Sequence, residues 1–143
     1  MSNPYTGDVT VGACWEAVSQ EGDAFLIDVR TSAEWTYVGF PRLPSSERQL
    51  FQEWQVFPTM AVDPQFAEKV AARVAELGGT KASKLYFLCR SGVRSMGSAA
   101  ALTAAGFQHC YNVLDGFEGP PDAEGHRGTI AGWKAADLPW AQR

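Results

Sequence analysis

The chain has 143 residues with a net charge of −4, and 45% of its residues are apolar. That apolar share can bury a core, which excludes an intrinsically disordered chain, and the length suits one domain. Acidic and basic residues are mixed without a basic run, so nucleic acid is not expected as a partner. Neither an apolar run of about 18 residues nor a signal-peptide pattern is found, so no membrane partner is expected. We therefore expect one domain over residues 1–143, in the cytoplasm.

The first elements in chain order are a helix, a strand and a second, short helix. Thr10 can cap a helix that runs to about Gln20. The apolar run AFLIDV, residues 24–29, is typical of a buried parallel strand. Thr31 is followed three residues later by Glu34, which is the capping-box spacing and predicts a short helix.

Residues 39–57 give no single interpretation. Prolines at 41 and 44 indicate a loop, whereas the aromatic-rich segment 48–57 has the imperfect alternation of a strand. Phe51, Trp54 and Phe57 are candidates for a hydrophobic acceptor site, but large aromatic side chains belong more often to the core. We favour the core interpretation and leave the path of the segment open.

The second half of the chain predicts further helices and strands in alternation. They are a helix opening at Asp63-Pro64 and ending at Gly78-Gly79, a strand at 84–89, a helix at 95–105, a strand at 109–113 and a helical turn within 131–140. This alternation predicts an α/β fold with three layers, in which helices flank both faces of a central parallel sheet of about five strands.

Polar residues follow two of the predicted strands. Asp28 and Arg30 end the first strand, and Cys89 ends the strand at 84–89. Because the carboxyl ends of parallel strands meet at one edge of the sheet, where ligands bind, we expect these three side chains to lie close together.

The segment FLCRSGVRS, residues 87–95, carries a cysteine from the end of a strand into the start of a helix. Gly92 permits a tightly curled loop, whose backbone N–H groups then point toward its centre. The helix dipole and the charges of Arg90 and Arg94 add positive potential at the same place. All of these effects favour a thiolate at Cys89 and predict room for a second anion.

Four segments together resemble the rhodanese-like (sulfurtransferase) domain family, over residues 8–140. They are CRSGVRS at the cysteine loop, LIDVRTSAEW around Asp28, Arg30 and Glu34, NVLDGFEG, and the tail GWKAADLPW. The resemblance implies that Cys89 carries a persulfide, inside an active-site loop made of Arg90, Ser91, Gly92, Val93, Arg94 and Ser95. Phe40 stands where the family commonly has a histidine, which bears on the course of residues 39–57 and not on sulfur chemistry.

The length of the loop separates two chemistries. Cys89 to Arg94 spans six residues, C-x4-R, whereas related phosphatases and arsenate reductases use the longer C-x5-R. The shorter loop suits a terminal sulfur on the cysteine better than a tetrahedral phosphate, which favours sulfur transfer. A phosphatase or arsenate reductase, and a non-catalytic rhodanese-type binding module, remain the alternatives.

The sulfurtransferase interpretation implies a double displacement without a metal or an organic cofactor. A small sulfur-donor anion such as thiosulfate loads Cys89, and cyanide, a small thiol or a protein thiol removes the sulfur. Asp28 and Arg30 are interpreted as a structural ion pair, and Glu34 as a helix-start residue or an arginine partner.

Three further groups are expected to have no part in the chemistry. Cys14 and Cys110 are interpreted as buried, inert thiols, although Cys110 would be a candidate resolving thiol if it lay near Cys89. His126 lies in a polar loop that either reaches the active-site edge or stays at the surface, and we favour the surface.

Overall fold

The computed structural model describes residues 4–56 and 58–142. In chain order the elements are β1 Gly7–Val9, α1 Val11–Gln20, β2 Ala24–Asp28, α2 Ser32–Tyr37, β3 Phe40–Pro41, a 3-10 helix Ser46–Arg48, β4 Gln49–Phe51, β5 Gln55–Val56, β6 Ala61–Val62, α3 Phe66–Glu76, β7 Lys84–Leu88, α4 Arg94–Ala104, β8 His109–Val113 and β9 Trp140–Ala141. A central sheet of five parallel strands has the order β1-β8-β7-β2-β4. The predicted α/β class is confirmed.

Alternate residues of the central strands divide between two apolar clusters, one on each face of the sheet. Phe25 and Ile27 of β2 pack with side chains of α3 and α4, such as Phe66 and Leu102. Leu26, between them in the chain, packs on the opposite side with residues of α1 and the C-terminal segment. This alternation is what a strand buried on both faces requires, and it produces the predicted three layers.

Both predicted N-terminal caps are present. Thr10 Oγ1 accepts a hydrogen bond from the Ala13 N–H at 3.1 Å at the start of α1. At the start of α2, Thr31 and Glu34 form the reciprocal capping box that their spacing predicts. The second cap matters for function, because it fixes the residue that meets the cysteine loop.

The main differences from the predicted elements are a strand that was not predicted, a later helix start and a divided strand. The strand β1 was not predicted, since its three residues contain no apolar run. Helix α3 begins at Phe66 rather than at Pro64, because the N–H groups of Gln65 and Phe66 bond back to Asp63 and form a turn there. The strand expected within 48–57 is divided into β4, in the main sheet, and β5, which pairs antiparallel with β6.

The C-terminal segment forms a turn over residues 133–137, within the range in which a short helical turn was predicted. The Ala136 N–H donates to the Gly132 carbonyl and the Asp137 N–H to the Lys134 carbonyl, and the chain then extends into β9, which pairs with β3. Trp133 is fully buried, and its indole N–H donates to the Pro139 carbonyl at 2.8 Å. Among the described residues, no helix combines the length and the apolar character needed to cross a membrane.

Candidate active site

Cys89 directly follows β7, the middle strand of the sheet, and its side chain is 1% exposed. The loop curls back at Gly92, whose φ is +95° and whose N–H donates to Cys89 Sγ at 3.1 Å. A Cβ at this position would stand 3.1 Å from the Asp115 nitrogen, so the position suits glycine both by conformation and by space. Helix α4 begins at Arg94 without a side-chain cap, which leaves first-turn N–H groups at the loop.

A chain of buried polar groups lies behind the sulfur. Ser95 Oγ is 3.2 Å from Cys89 Sγ, and the Ser95 hydroxyl donates to Asn112 Oδ1. Asn112 Nδ2 donates to the Gly92 carbonyl at 3.2 Å and to Asp8 Oδ1 at 3.0 Å. Sequence reasoning missed Asn112 and Asp8. The available signal was a polar residue at a buried position near the carboxyl end of β8.

The turn after β8 holds the first two carbonyls of the loop. The Phe117 N–H donates to the Cys89 carbonyl at 2.8 Å, and the Glu118 and Gly119 N–H groups donate to the Arg90 carbonyl at 2.9 and 3.1 Å. Gly116 has a φ of +61°, and a Cβ there would collide with the Cys89 carbonyl. The first residues after β7 are therefore hydrogen-bonded to a segment more than twenty residues later in the chain.

Arg94 is paired with Glu34 in a two-point ion pair. Nη1 to Oε1 and Nη2 to Oε2 are both 2.9 Å, and each side chain is about one-fifth exposed. Burial alone would raise the pKa of Glu34, but the hydrogen bonds and charge of Arg94 outweigh it and hold that pKa below its usual value. Glu34 is thus both the helix-start residue and the arginine partner that the sequence indicated.

Asp28 and Arg30 form the predicted ion pair, and both are fully buried. Arg30 Nε to Asp28 Oδ1 is 2.9 Å and Nη2 to Oδ2 is 2.7 Å. Arg30 also donates to the Gly39 carbonyl at 2.9 Å, and its guanidinium lies 4.3 Å from the centre of the Phe117 ring. The pair connects the end of β2 to the segment before β3 and to the turn that holds Cys89.

An open pocket of about 440 Å³ has Cys89 among its lining residues, which are Glu34, Met60, Cys89, Arg90, Ser91, Val93 and Arg94. Arg90 and Val93 are exposed at its rim. The sequence-predicted loop residues other than Gly92 and Ser95 therefore meet at one cavity, together with Met60, which the sequence did not indicate.

Two aromatic residues of segment 48–57, Phe51 and Trp54, pack away from this pocket. Trp54 contacts Phe66 edge-on at 5.0 Å between ring centres, and Phe51 packs edge-on against Trp35 at 5.2 Å. Trp54 is partly buried against the core cluster, which supports the core interpretation for it. Phe51 is 37% exposed, so the core interpretation is wrong for this residue, whereas Phe57 lies outside the described residues.

The other two thiols and His126 lie away from this pocket. Cys110 pairs in register with Leu85, four residues before Cys89, or about 13 Å along the strands. Burial raises the pKa of the Cys14 and Cys110 thiols. Cys110 is therefore not placed to act as a resolving thiol. His126 is exposed, in a loop that Asp122 organises through its carboxylate and backbone.

This fold and loop define a class of α/β domains that hold a cysteine at the carboxyl end of a central parallel strand, in the curl before a helix. The chain belongs to the rhodanese-like domain family, whose family model matches residues 10–119.

Relatives and solved structures agree with that membership. An uncharacterized protein of Rickettsia prowazekii is 36% identical over 118 residues, which cover 82% of this chain and 83% of that protein. The crystal structure of Rv0390 from M. tuberculosis is 43% identical, covers 97% of this chain and 99% of its own, and has a TM-score of 0.84. The polysulfide-sulfur transferase homodimer of Wolinella succinogenes shares the fold at 17% identity and a TM-score of 0.61, over 98% of this chain and 80% of its own.

Proposed function

We propose that the protein is a sulfurtransferase that moves a sulfane sulfur from a donor such as thiosulfate to a thiophilic acceptor through a Cys89 persulfide. One observation carries the proposal. Cys89 Sγ borders an open pocket and accepts the Gly92 N–H inside a six-residue loop at the start of α4. This arrangement suits an anionic sulfur better than an inert core thiol.

The reaction has two displacements. The Cys89 thiolate attacks the outer sulfur of thiosulfate, a new S–S bond forms, and sulfite leaves with the electron pair of the broken S–S bond. Cyanide or a thiolate then attacks the outer sulfur of the persulfide, which forms thiocyanate or a new persulfide and returns the Cys89 thiolate. No metal or organic cofactor takes part in either step.

The loop residues have separate roles in this scheme. The backbone N–H groups from Arg90 to Ser95 stabilise the anionic outer sulfur, with the dipole of α4 behind them. Arg90, exposed at the rim, attracts the donor anion. Arg94 contributes charge from within its pair with Glu34, while the buried Asp28–Arg30 pair supports the loop from below.

Intact-mass analysis tests the proposal. The protein is incubated with thiosulfate, polysulfide or 3-mercaptopyruvate, and then with cyanide or a small thiol as the acceptor. We expect a gain of one sulfur atom that the acceptor removes, in the wild type and in Cys110→Ser, but not in Cys89→Ser. Polysulfide is included because it appears in the name of the Wolinella protein.

Two results would overturn the proposal. Hydrolysis of p-nitrophenyl phosphate or reduction of arsenate, without sulfur loading, would favour the alternative enzymes. No loading from any donor, together with alkylation of Cys89 at the pH of an ordinary thiol, would favour a non-catalytic binding module.

A further inference from the structure

The orientation of the Asn112 side-chain amide is determined by its neighbours. Its nitrogen faces the Gly92 carbonyl and the Asp8 carboxylate, and both of these groups only accept hydrogen bonds. Turned the other way, the amide oxygen would face two acceptors. Asn112 Oδ1 is therefore the atom that points at Ser95.

That orientation decides where the Ser95 hydrogen goes. A hydroxyl has one hydrogen, and Ser95 gives it to Asn112 Oδ1. Toward Cys89 Sγ, 3.2 Å away, Ser95 then presents a lone pair. In this arrangement Ser95 can accept from a Cys89 thiol but cannot donate to a thiolate. Ser95 and Asn112 are buried and do not line the pocket that Cys89 borders, so water in the pocket meets the sulfur on a different side from Ser95.

We propose that Asn112, anchored by Asp8, is a positioning residue that withholds the Ser95 hydroxyl hydrogen from Cys89 and thereby opposes its ionisation. Formation of the thiolate requires the Ser95 hydroxyl to turn toward sulfur and to leave Asn112 Oδ1 unpaired. Ser95 is then a two-position donor, directed at Asn112 when Cys89 is a thiol and at sulfur when Cys89 is charged.

Asp8 gives the means to test this without altering the buried core. It is exposed on β1, and its Oδ1 accepts from both Asn112 and the Tyr5 hydroxyl, at 3.0 and 2.9 Å. Asp8→Ala removes both the negative charge and one of the two acceptors that orient Asn112, and it leaves the Gly92 carbonyl in place. Asp8→Asn removes the same charge but keeps an acceptor oxygen, so it is the matched control.

The reactivity of Cys89 also depends on its charged surroundings, which neither variant changes. They are Arg90 and Arg94 of the loop and α4, Glu34 of α2 and the Asp28–Arg30 pair at the end of β2. The comparison of the two Asp8 variants therefore isolates the anchoring of Asn112 from the general electrostatic effect.

The experiment follows alkylation of Cys89 by iodoacetamide against pH, with the modified peptide identified by mass. We expect Asp8→Ala to reach its half-maximal rate at a lower pH than Asp8→Asn, with rates about threefold higher on the rising limb, since a freed hydroxyl can donate to the charged sulfur. Superimposable profiles for the two Asp8 variants would overturn the proposal.

A second set of variants tests the route through Ser95. Asn112→Leu should shift the alkylation profile to lower pH by about one unit, because a hydrogen bond to a charged acceptor changes an equilibrium by about tenfold. In a Ser95→Ala background, Asn112→Leu should produce no shift. A shift of equal size in both backgrounds would show that Asn112 does not act through Ser95.

The positioning role of Asn112 rests on the proposed function only in one respect, namely that it would control the nucleophile of sulfur transfer. Alkylation needs no sulfur donor, so the two can fail separately. If no donor loads Cys89 while the Asp8 variants differ as expected, the proposed function is wrong and the positioning role stands. If loading occurs but the Asp8 variants have the same alkylation profile, the positioning role is wrong.

Discussion

Glu34 and Arg94 meet at two points, from the first turn of α2 to the first residue of α4, with both N–O distances at 2.9 Å. The pair lies in the lining of the pocket that contains Cys89. An anionic donor must therefore bind in the same cavity as the Glu34 carboxylate. The arginine that would attract it, Arg94, already donates from both terminal nitrogens to Glu34.

The first prediction concerns the charge of the donor. Glu34→Gln removes the negative charge while the amide oxygen can still accept from Thr31 and Arg94, and glutamine suits the capping box. We expect thiosulfate, a dianion, to load Cys89 about fivefold faster in this variant, which corresponds to about 1 kcal/mol. A monoanionic donor, methanethiosulfonate, should gain less. The rates are measured by intact mass after timed quenching.

The comparison between the two donors distinguishes a charge effect of Glu34 from a loss of Arg94 positioning. If Glu34 served only to hold Arg94 in place, Glu34→Gln would slow both donors to a similar extent, and the expectation would be wrong.

The second prediction concerns stability against pH. The pKa of Glu34 lies below its usual value, so the pair with Arg94 stabilises the fold above the unfolded pKa of about 4.3 and loses this contribution as pH falls through the folded pKa. The free energy of unfolding of the wild type should exceed that of Glu34→Gln by about 1 kcal/mol near neutral pH, with the difference shrinking below about pH 5. Urea denaturation at several pH values measures it.

Glu76→Gln is the control for this series. Glu76 pairs with Arg73 across 3.6 Å, with both side chains more than half exposed, and should contribute well under about 0.5 kcal/mol at any pH. A wild-type advantage over Glu34→Gln that stays constant down to pH 3 would contradict the assignment.

The third prediction concerns the curl at Gly92. Gly92→Ala should lower the free energy of unfolding by about 1–3 kcal/mol and slow Cys89 loading, because a Cβ strains the positive φ and presses on the turn after β8. Gly125→Ala is matched in backbone, with a φ of +83°, but its Cβ would meet nothing within 4 Å. It should carry the conformational cost alone and leave loading unchanged. Equal loading rates in both variants would argue against a role for the curl.

The fourth prediction concerns the buried pair Asp28–Arg30. Arg30→Met leaves the Asp28 carboxylate buried without its partner and should cost about 3–5 kcal/mol in urea denaturation. The double variant Asp28→Leu/Arg30→Met should recover most of that loss, since no uncompensated charge remains. Arg73→Met, in an exposed pair, is the control and should change stability little. A double variant no more stable than Arg30→Met would contradict the ion-pair explanation.

The elements that could be predicted are those with a local signal. The cap at Thr10, the box from Thr31 to Glu34 and the apolar runs of β2 and β7 are each read from a few neighbouring residues, and the structure confirms them. Strand β1 and the pair β3–β9 could not be predicted, because their partner strands are distant in the chain. Two or three residues carry no periodicity of their own.

The same distinction applies to the site. The sequence placed Asp28, Arg30 and Cys89 at one edge of the sheet, because the carboxyl ends of parallel strands coincide. It indicated an arginine partner for Glu34 but not that the arginine is Arg94, and it did not indicate that Asn112 stands behind Ser95. Those contacts depend on how α2 and β8 are placed by tertiary packing, and no local pattern encodes that placement.

The bonds from the turn after β8 to the Cys89 and Arg90 carbonyls have a consequence for assembly. The loop around the sulfur is complete only when residues 115–119 are packed against it. A fragment that ended before Asp115 would contain every residue of the loop but would lack the N–H groups that hold the Cys89 and Arg90 carbonyls. For the same reason, grafting CRSGVRS onto another strand–helix junction would transfer the residues of the motif without the contacts that hold the loop in its curled conformation around the cysteine sulfur.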